Sequence, residues 1–315
     1  MIRLAAIDLG SNTIRLLVAD ADAATGLSPV HGEQVVARLG QGLARTGRLD
    51  PDAIERALGA VGRYRETARA HGAARILVVA TAAVRQAENR EAFLARLATG
   101  GAAEVRVASG DEEARLTLLG VLSGLPAAAG RTAVLDIGGG STELIVAEGA
   151  RPTAIVSVPL GVVALAERFL RADPIDPTEY RACAAYAAER LDAQAWPVVR
   201  PLAPRRLVGT AGTITTLAAL DLALTAYDPA RVQGHRLTRP RIEALLARLG
   251  ALPVAERARL PVLEPGRADL IVPGIALTLG VLDGLGLDEL TVSDTGLREG
   301  ILLDAVGWTP AEPLC

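Results

Sequence analysis

Lysine is missing from this chain of 315 residues, so all 33 of its basic residues are arginine. P-loop nucleotide enzymes and protein kinases each hold the nucleotide phosphates with a lysine, and the sequence therefore excludes both classes. Aromatic residues make up only 3% of the chain, which leaves no stacking platform for single-stranded nucleic acid. The formal net charge of −3 gives no general attraction to a polyanion. We expect no nucleic-acid partner.

Cysteines and long apolar runs are also scarce. The two cysteines, Cys183 and Cys315, have neither metal-ligand spacing nor the density of a disulfide framework. No uninterrupted apolar run reaches the ~20 residues that span a bilayer. The N-terminus leads into a predicted strand rather than into a signal peptide. We expect a cytoplasmic protein with no membrane partner.

Two similar aspartate-glycine segments are the main feature that the sequence does contain: IDLGSNTIRLLV at residues 7–18 and LDIGGGSTELIV at residues 135–146. A constant spacing of 128 (136 − 8) relates Asp8 to Asp136 and Gly10 to Gly138 without a gap. Each segment runs from apolar residues through an aspartate and a turn of small residues into a second apolar run, which predicts a β-hairpin with an acidic residue at its mouth. The chain also exceeds the usual length of one hydrophobic core, so we predict two related domains.

The small residues of these turns suit phosphate binding. Without Cβ atoms in the way, backbone N–H groups can converge into a nest for phosphate oxygens, and the turn hydroxyls add donors. The carboxylates of Asp8 and Asp136 would repel phosphate unless a cation lay between, and Mg²⁺ accepts oxygen ligands together with phosphate. An ordinary tight hairpin is the alternative explanation, which fits a single such turn better than two copies in register.

Outside the hairpins, apolar patterns predict strands that alternate with helices, which is the order of an α/β protein. In the first half we predict a third strand near 30–38, a helix from Asp50-Pro51, a strand at 75–81, one helix over AAVRQAENREAFLARL (82–97), a strand at 104–107 and a helix from Ser109 to about 122. In the second half we predict helices at 162–170 and 177–191, a strand at 205–208, one further strand at 290–293 and a last helix from Gly296.

A stretch rich in Gly, Pro and Ala at 123–131 predicts the domain boundary. We assign residues 1–124 to the first domain and 125–315 to the second, with the last helix a candidate to pack back on the first. A cleft is expected between the two hairpins.

Two further segments carry residues suited to phosphate chemistry. Asp111, Glu112 and Glu113 begin a predicted helix, where a carboxylate could take a proton from water; a solvated capping cluster is the alternative. The GTAGT turn at 209–213 lies between a strand and a helix, where it fits either anion binding or close helix-strand packing.

In chain order, the motifs DLGSNT, ATAAVRQAEN, SGDEEARL, LDIGGGSTEL, GTAGT and VSDTGLREG resemble those of the exopolyphosphatase and guanosine pentaphosphate phosphohydrolase family. That family belongs to the superfamily of acetate and sugar kinases, heat-shock ATPases and actin. The resemblance covers nearly the whole chain and implies two ribonuclease-H-like (actin-like ATPase) domains flanking a cleft. It also implies that Glu113 is the general base, with Glu112 and Asp111 as the competing assignments.

The resemblance further implies a cation site and a substrate site. Asp136, Asp8 and Glu143 would hold Mg²⁺ or another hard divalent cation such as Mn²⁺, and Glu143 would also position the attacking water. Arg85 and Asn89 match the family's RxAxN pattern and would contact the phosphate chain. The other implied substrate-binding residues are Ser11, Asn12, Thr13, Gly138, Gly139, Gly140, Ser141, Thr142, Gly209, Thr210, Gly212 and Thr213.

From these features we predict an exopolyphosphatase that releases orthophosphate from the end of inorganic polyphosphate. Hydrolysis of guanosine pentaphosphate at its 5′ phosphate is the alternative within the same chemistry, and an actin-like regulatory protein that binds nucleotide is the alternative in another class. The GTAGT turn leaves ADP or ATP open as a ligand. The chain lacks the C-terminal extension of longer relatives, from which we expect weaker processivity and a homodimer as one way to extend the groove.

Overall fold

The computed structural model of the chain describes residues 1–99, 103–125 and 127–310. These residues divide into two compact units, the first made of residues up to 125 together with 295–310, the second of 127–294. Each unit is organised around its own mixed β-sheet with connecting helices. The predicted α/β class is confirmed. Among the described residues, no helix combines the length and the apolar character needed to cross a bilayer.

The first unit contains a five-stranded sheet in the order β3-β2-β1-β4-β5. The first three strands form an antiparallel meander, and β4 and β5 join it in parallel with β1. The strands are β1 (Ile2–Leu9), β2 (Thr13–Asp22), β3 (Gly26–Val36), β4 (Arg75–Ala80) and β5 (Glu104–Val107).

Helices cover both faces of this first sheet because successive residues of a strand point to opposite sides. Ala5 and Ile7 pack in one cluster with residues of α2, while Leu4 and Ala6 pack in another with residues of α5 and α14. The helices are α1 (Leu43–Thr46), α2 (Pro51–Ala70), α3 (Ala82–Gln86), α4 (Arg90–Thr99), α5 (Gly110–Gly124) and, at the end of the chain, α14 (Leu297–Ala305).

Helix caps explain where α2 and α5 begin. The side chain of Asp50 accepts a hydrogen bond from the N–H of Ala53 at 3.0 Å, and Pro51 occupies the first helical position, where its missing N–H costs nothing. Ser109 caps α5 in the same way by accepting from the N–H of Glu112. Both helix starts agree with the sequence-based predictions.

Helices α5 and α14 touch backbone to backbone through glycines. A Cβ atom on Gly120 would lie 1.8 Å from the carbonyl oxygen of Gly296, and one on Gly300 would lie 1.8 Å from that of Leu116. Glu299 completes the start of α14 by accepting from the N–H of Gly296 at 2.8 Å. The GLREG motif is thus a packing and capping motif that fixes α14 against α5.

The prediction of one continuous helix over 82–97 is wrong. The chain leaves the helix after α3, and Ala87 is extended, with φ −78° and ψ 134°. The N–H of Glu88 donates to the carbonyl of Gly47 at 2.9 Å, and the side chain of Asn89 bonds to Leu49. These contacts with the loop before α2 replace the helical hydrogen bonds.

The second unit contains a six-stranded sheet in the order β10-β11-β9-β6-β7-β8. Strands β6, β7 and β8 form an antiparallel meander, β9 and β11 join it in parallel, and β10 pairs antiparallel with β11. Apart from β10, this is the strand order of the first unit. The strands are β6 (Arg131–Ile137), β7 (Thr142–Glu148), β8 (Arg151–Val158), β9 (Arg206–Thr210), β10 (Arg236–Thr238) and β11 (Glu289–Val292).

Strands β8 and β10 are absent from the sequence-based predictions, which place helices directly after the second hairpin and one strand in the last stretch. The two helices predicted after that hairpin are present as α6 (Val162–Phe169) and α7 (Pro177–Gln194). The second unit's helices are α6 (Val162–Phe169), α7 (Pro177–Gln194), α8 (Trp196–Val199), α9 (Ala211–Asp221), α10 (Pro229–Val232), α11 (Arg239–Gly250), α12 (Val254–Arg257) and α13 (Ile271–Leu285), with 3-10 turns at Arg200–Leu202 and Pro265–Arg267.

Candidate active site

The first hairpin turn connects β1 to β2 and is held by its carbonyl groups. The carbonyl of Ser11 accepts from the N–H of Gly40 at 2.6 Å, and that of Asn12 accepts from the N–H groups of Ala37 and Arg38 at 3.0 and 2.9 Å. Ser11, Asn12 and the following Thr13 are all buried. The segment after β3 therefore fixes the turn from one side.

The second hairpin turn is held in the same way, by a different segment. The carbonyls of Gly138 and Gly139 accept from the N–H groups of Val162 and Val163 at 3.2 and 3.0 Å, at the start of α6. The hydroxyl of Thr142 donates to the carbonyl of Leu160 at 2.6 Å. That hydroxyl proton is used within the protein, and a contact of Thr142 with substrate stays a prediction.

The direction of the turn amides follows from these carbonyl contacts. In a trans peptide the C=O and the next N–H point in opposite directions. The N–H groups of Asn12 and Thr13 therefore point away from segment 37–40, and those of Gly139 and Gly140 point away from the start of α6. Successive amides directed to one side are the arrangement of an anion-binding nest.

Asp136 and Glu143 are direct cross-strand neighbours in the second unit. They are paired in the register of β6 and β7, and their relative exposures are 8% and 1%. Ser157 lies opposite Glu143 on β8 and donates its hydroxyl to Glu143 Oε1 at 2.7 Å. On the other side, Asp136 is in register with Thr210 of β9, which is also buried. A row of polar side chains thus crosses four neighbouring strands, at the end of the sheet that carries the second hairpin turn.

The corresponding position in the first unit has a different charge. Asp8 is paired with Arg15 in the register of β1 and β2, whereas Asp136 is paired with Glu143. The spacing of 128 relates Arg15 to Glu143. The two hairpins therefore share a backbone plan, but one places a cation opposite its aspartate and the other places a second carboxylate.

Glu113 and Arg85 are brought together in the first unit. Nη1 of Arg85 donates to Glu113 Oε2 at 2.9 Å and to the carbonyl of Ala108 at 2.8 Å. The Glu113 side chain is 10% exposed. The competing carboxylates differ: Glu112 forms an ion pair with Arg106 on β5, and Asp111 is exposed.

The side chain of Asn89 makes two hydrogen bonds to the main chain of the first unit. Its Oδ1 accepts from the N–H of Leu49 at 2.9 Å, and its Nδ2 donates to the carbonyl of the same residue at 3.0 Å. The amide thus holds the loop before α2 against the break between α3 and α4. A direct contact of Asn89 with phosphate stays a prediction.

The GTAGT turn is accounted for largely by packing. A Cβ atom on Gly209 would lie 3.0 Å from Ile214, and the Thr213 side chain fills the space in which Gly274 of α13 has no side chain. Ala211 begins α9 with φ +67°. Of the two explanations left open by the sequence, close packing has direct structural support, and anion binding by Gly212 and its neighbours stays a prediction.

Two polar residues near the site were not identified from the sequence. Ser157 lies on β8, a strand that the apolar pattern does not predict. Arg15 lies on β2 and is not among the predicted site residues. The spacing between the hairpins could have identified Arg15, because it places a cation where the second copy has Glu143. No comparable signal exists for Ser157.

Solved structures with this fold are known. The structure described as the Aquifex aeolicus member of the Ppx/GppA protein family is 35% identical, with a TM-score of 0.78 and coverage of 97% of both chains. A structure described as an exopolyphosphatase from Cytophaga hutchinsonii is 27% identical, with a TM-score of 0.90, and covers 98% of this chain and 100% of its own. The chain is therefore a two-domain protein of the actin-like ATPase fold, as predicted.

Sequence comparison defines the family. A model of the Ppx/GppA phosphatase family matches residues 17–308. The protein named Exopolyphosphatase 2 from Mycobacterium tuberculosis is 39% identical over 97% of this chain and 99% of its own length. The chain belongs to the Ppx/GppA phosphatase family and is a hydrolase, which confirms the family and enzyme class predicted from the motifs.

Proposed function

We propose that this protein is an exopolyphosphatase that removes orthophosphate from the end of inorganic polyphosphate. Similarity to Exopolyphosphatase 2 over nearly the whole of both chains supports this substrate. The observation that carries the proposal is the direction of the turn amides, since both turns have their carbonyls bound within the protein and their N–H groups directed away. Such nests bind phosphate oxygens through fixed dipoles.

The second unit's carboxylates fit a divalent cation. Asp136 and Glu143 are buried like charges at directly opposed positions, an arrangement that is unfavourable without a cation. Among the described residues no group of three or more Asp, Glu, His or Cys side chains forms a complete metal cage. This suits Mg²⁺ or Mn²⁺, which protein sites often hold by one or two carboxylates, with water and phosphate as further ligands. When bound, the cation would neutralise charge on the phosphate.

We assign the proton transfer to Glu113. In the proposed step a water oxygen bonds to the terminal phosphorus, the bridging P–O bond breaks, and the shortened polyphosphate leaves with the bridging oxygen. The water's proton passes to Glu113, whose carboxylate is held in place by the hydrogen bond from Arg85 Nη1 to its Oε2. The Glu112 side chain is 29% exposed and Asp111 is exposed, so neither has the buried setting of Glu113.

Glu113→Gln tests the assignment. The amide cannot accept the proton, so we expect hydrolysis of polyphosphate to fall by about 10²–10⁴-fold while polyphosphate binding is retained. Orthophosphate release and binding of labelled polyphosphate are measured side by side. Glu112→Gln, the neighbouring change on the same helix, is the control and should keep most activity. Turnover near wild type in Glu113→Gln would remove Glu113 from this role.

Substrate choice is tested by comparing rates. Orthophosphate release is measured on long-chain polyphosphate and on guanosine pentaphosphate with Mg²⁺, each with and without ADP or ATP. A higher kcat/KM on polyphosphate supports the proposal, and a higher value on guanosine pentaphosphate would overturn it. Nucleotide binding without release from either substrate would instead indicate a regulatory protein.

A further inference from the structure

Ser157 contacts a carboxylate of the candidate cation site while lying on a different strand. It is half-buried on the edge strand β8, and its backbone position opposite Glu143 is set by the β7–β8 ladder. The 2.7 Å distance from its hydroxyl to Glu143 Oε1 is typical of an O–H···O hydrogen bond. The hydroxyl thus has a defined place and a carboxylate oxygen as its acceptor.

This contact acts on the orientation of Glu143. A carboxylate on a flexible side chain has several rotamers, and a hydrogen bond to one oxygen selects among them. The orientation matters for Glu143 because it is 1% exposed and faces the carboxylate of Asp136 across the ladder.

The first unit provides an internal comparison. There the residue opposite Asp8 is Arg15, and the residue opposite Arg15 on β3 is Gln34. Where the duplicated position carries no second carboxylate, the position opposite it on the third strand carries glutamine in place of serine. The serine hydroxyl is thus found opposite the second carboxylate, and the related position of the first unit lacks it.

We propose that Ser157 is a positioning residue that holds Glu143 for the divalent cation and thereby sets the cation affinity of the second unit. The inference rests on the proposed cation at Asp136 and Glu143. Residues that orient metal ligands in this way typically contribute about 10–100-fold to metal affinity.

The test measures cation binding directly and in catalysis. Mn²⁺ alone is titrated into the full chain and the free ion is followed by EPR, and the Mg²⁺ dependence of polyphosphate hydrolysis is recorded for the same variants. Ser157→Ala is expected to weaken Mn²⁺ binding about tenfold and to raise the half-saturating Mg²⁺ concentration by the same factor, with kcat recovering at high Mg²⁺. Ser157→Thr keeps the hydroxyl and should restore affinity.

Thr153→Ala is the matched control. Thr153 lies on the same strand and its hydroxyl donates to the carbonyl of Val146 at 3.0 Å, remote from the carboxylates in the ladder. Loss of the Thr153 hydroxyl should leave Mn²⁺ binding unchanged. Should Ser157→Ala fail to fold, Ser157→Cys takes its place, because a thiol has similar size and is only a weak donor.

The possible results separate this inference from the proposed function. Wild-type Mn²⁺ affinity in Ser157→Ala, together with lost binding in Asp136→Asn, would overturn the role of Ser157 and leave the cation site in place. Unchanged binding in Asp136→Asn, or no Mn²⁺ binding by the wild type, would contradict the cation site and this inference with it. A lower kcat in Ser157→Ala with no shift in Mg²⁺ dependence would show that Ser157 has a purely structural role, against this inference.

Discussion

Neighbouring residues of the same type have different surroundings at the start of α5. Glu112 and Glu113 are consecutive, yet one pairs with Arg106 near the surface and the other is buried against Arg85. Successive helix positions lie about 100° apart, so one faces β5 and the other faces the end of α3. The sequence predicts three acidic residues at the start of a helix. Only the tertiary contacts distinguish Glu113 from the other two.

Asn89 is a second residue whose surroundings the sequence does not predict, and its contacts give a testable prediction. Asn89→Ala removes both hydrogen bonds to the main chain of Leu49, which is 2% exposed, and leaves a buried N–H and C=O unsatisfied. We expect a loss of about 2 kcal/mol in the free energy of unfolding, with a KM for polyphosphate close to wild type. Urea unfolding and steady-state kinetics measure the two quantities.

Gln86→Ala is the control for this change, since it truncates an exposed amide side chain nearby on α3. It should leave both stability and KM unaltered. A raised KM with unaltered stability in Asn89→Ala would instead show that Asn89 contacts the phosphate chain, as the family pattern implies.

At the scale of elements, the sequence predicts those that carry strong local signals. Asp50-Pro51 and Ser109 identify helix starts because capping is a local interaction, and β4 is identified by its continuous apolar run. β8 has no such signal, because its sequence contains Pro152 and its short apolar run is interrupted by Ser157. The spacing of 128 does not find it either, because β7 and the following turn are shorter than β2 and its turn.

The break between α3 and α4 could not be predicted for a different reason. The residues from Ala82 to Leu97 are good helix formers, and their local preference favours a continuous helix. Hydrogen bonds to Gly47 and Leu49, some 40 residues earlier in the chain, override that preference. Arg85, which contacts Glu113, lies in the last turn of α3, directly before this break.

The contact between α5 and α14 gives a prediction at this scale. Gly300→Ala places a Cβ 1.8 Å from the carbonyl oxygen of Leu116, so the two helices must separate. We expect a loss of about 1–3 kcal/mol in the free energy of unfolding, and a lower kcat because α5 carries Glu113. Thermal unfolding and polyphosphate hydrolysis are the measurements.

Gly62→Ala on α2 is the matched control. A Cβ there has nothing within 4 Å, and the position is exposed in a helix interior. The change should raise stability by about 0.5–1 kcal/mol, with no effect on kcat. Equal behaviour of the two alanine variants would show that the glycine contact does not hold α5.

At the scale of the whole molecule, the two units share the same basic sheet topology. Both sheets contain the same order of three antiparallel and two parallel strands, and both hairpin turns have carbonyls bound by the segment after the third strand. The hairpin spacing in the sequence predicted the duplication. The units differ in charge at one cross-strand position, which carries Arg15 in one unit and Glu143 in the other.

This difference predicts that the two aspartates are unequal. Asp136 is opposite Glu143, a second carboxylate, whereas Asp8 is opposite Arg15, a residue of opposite charge. Asp136→Asn should therefore raise the half-saturating Mg²⁺ concentration for polyphosphate hydrolysis by at least about tenfold. Asp8→Asn, the same substitution at the related position, should change that concentration much less and act mainly on KM for polyphosphate. Similar Mg²⁺ shifts in both variants would mean that both aspartates hold the cation and that the charge at Arg15 does not distinguish the hairpins.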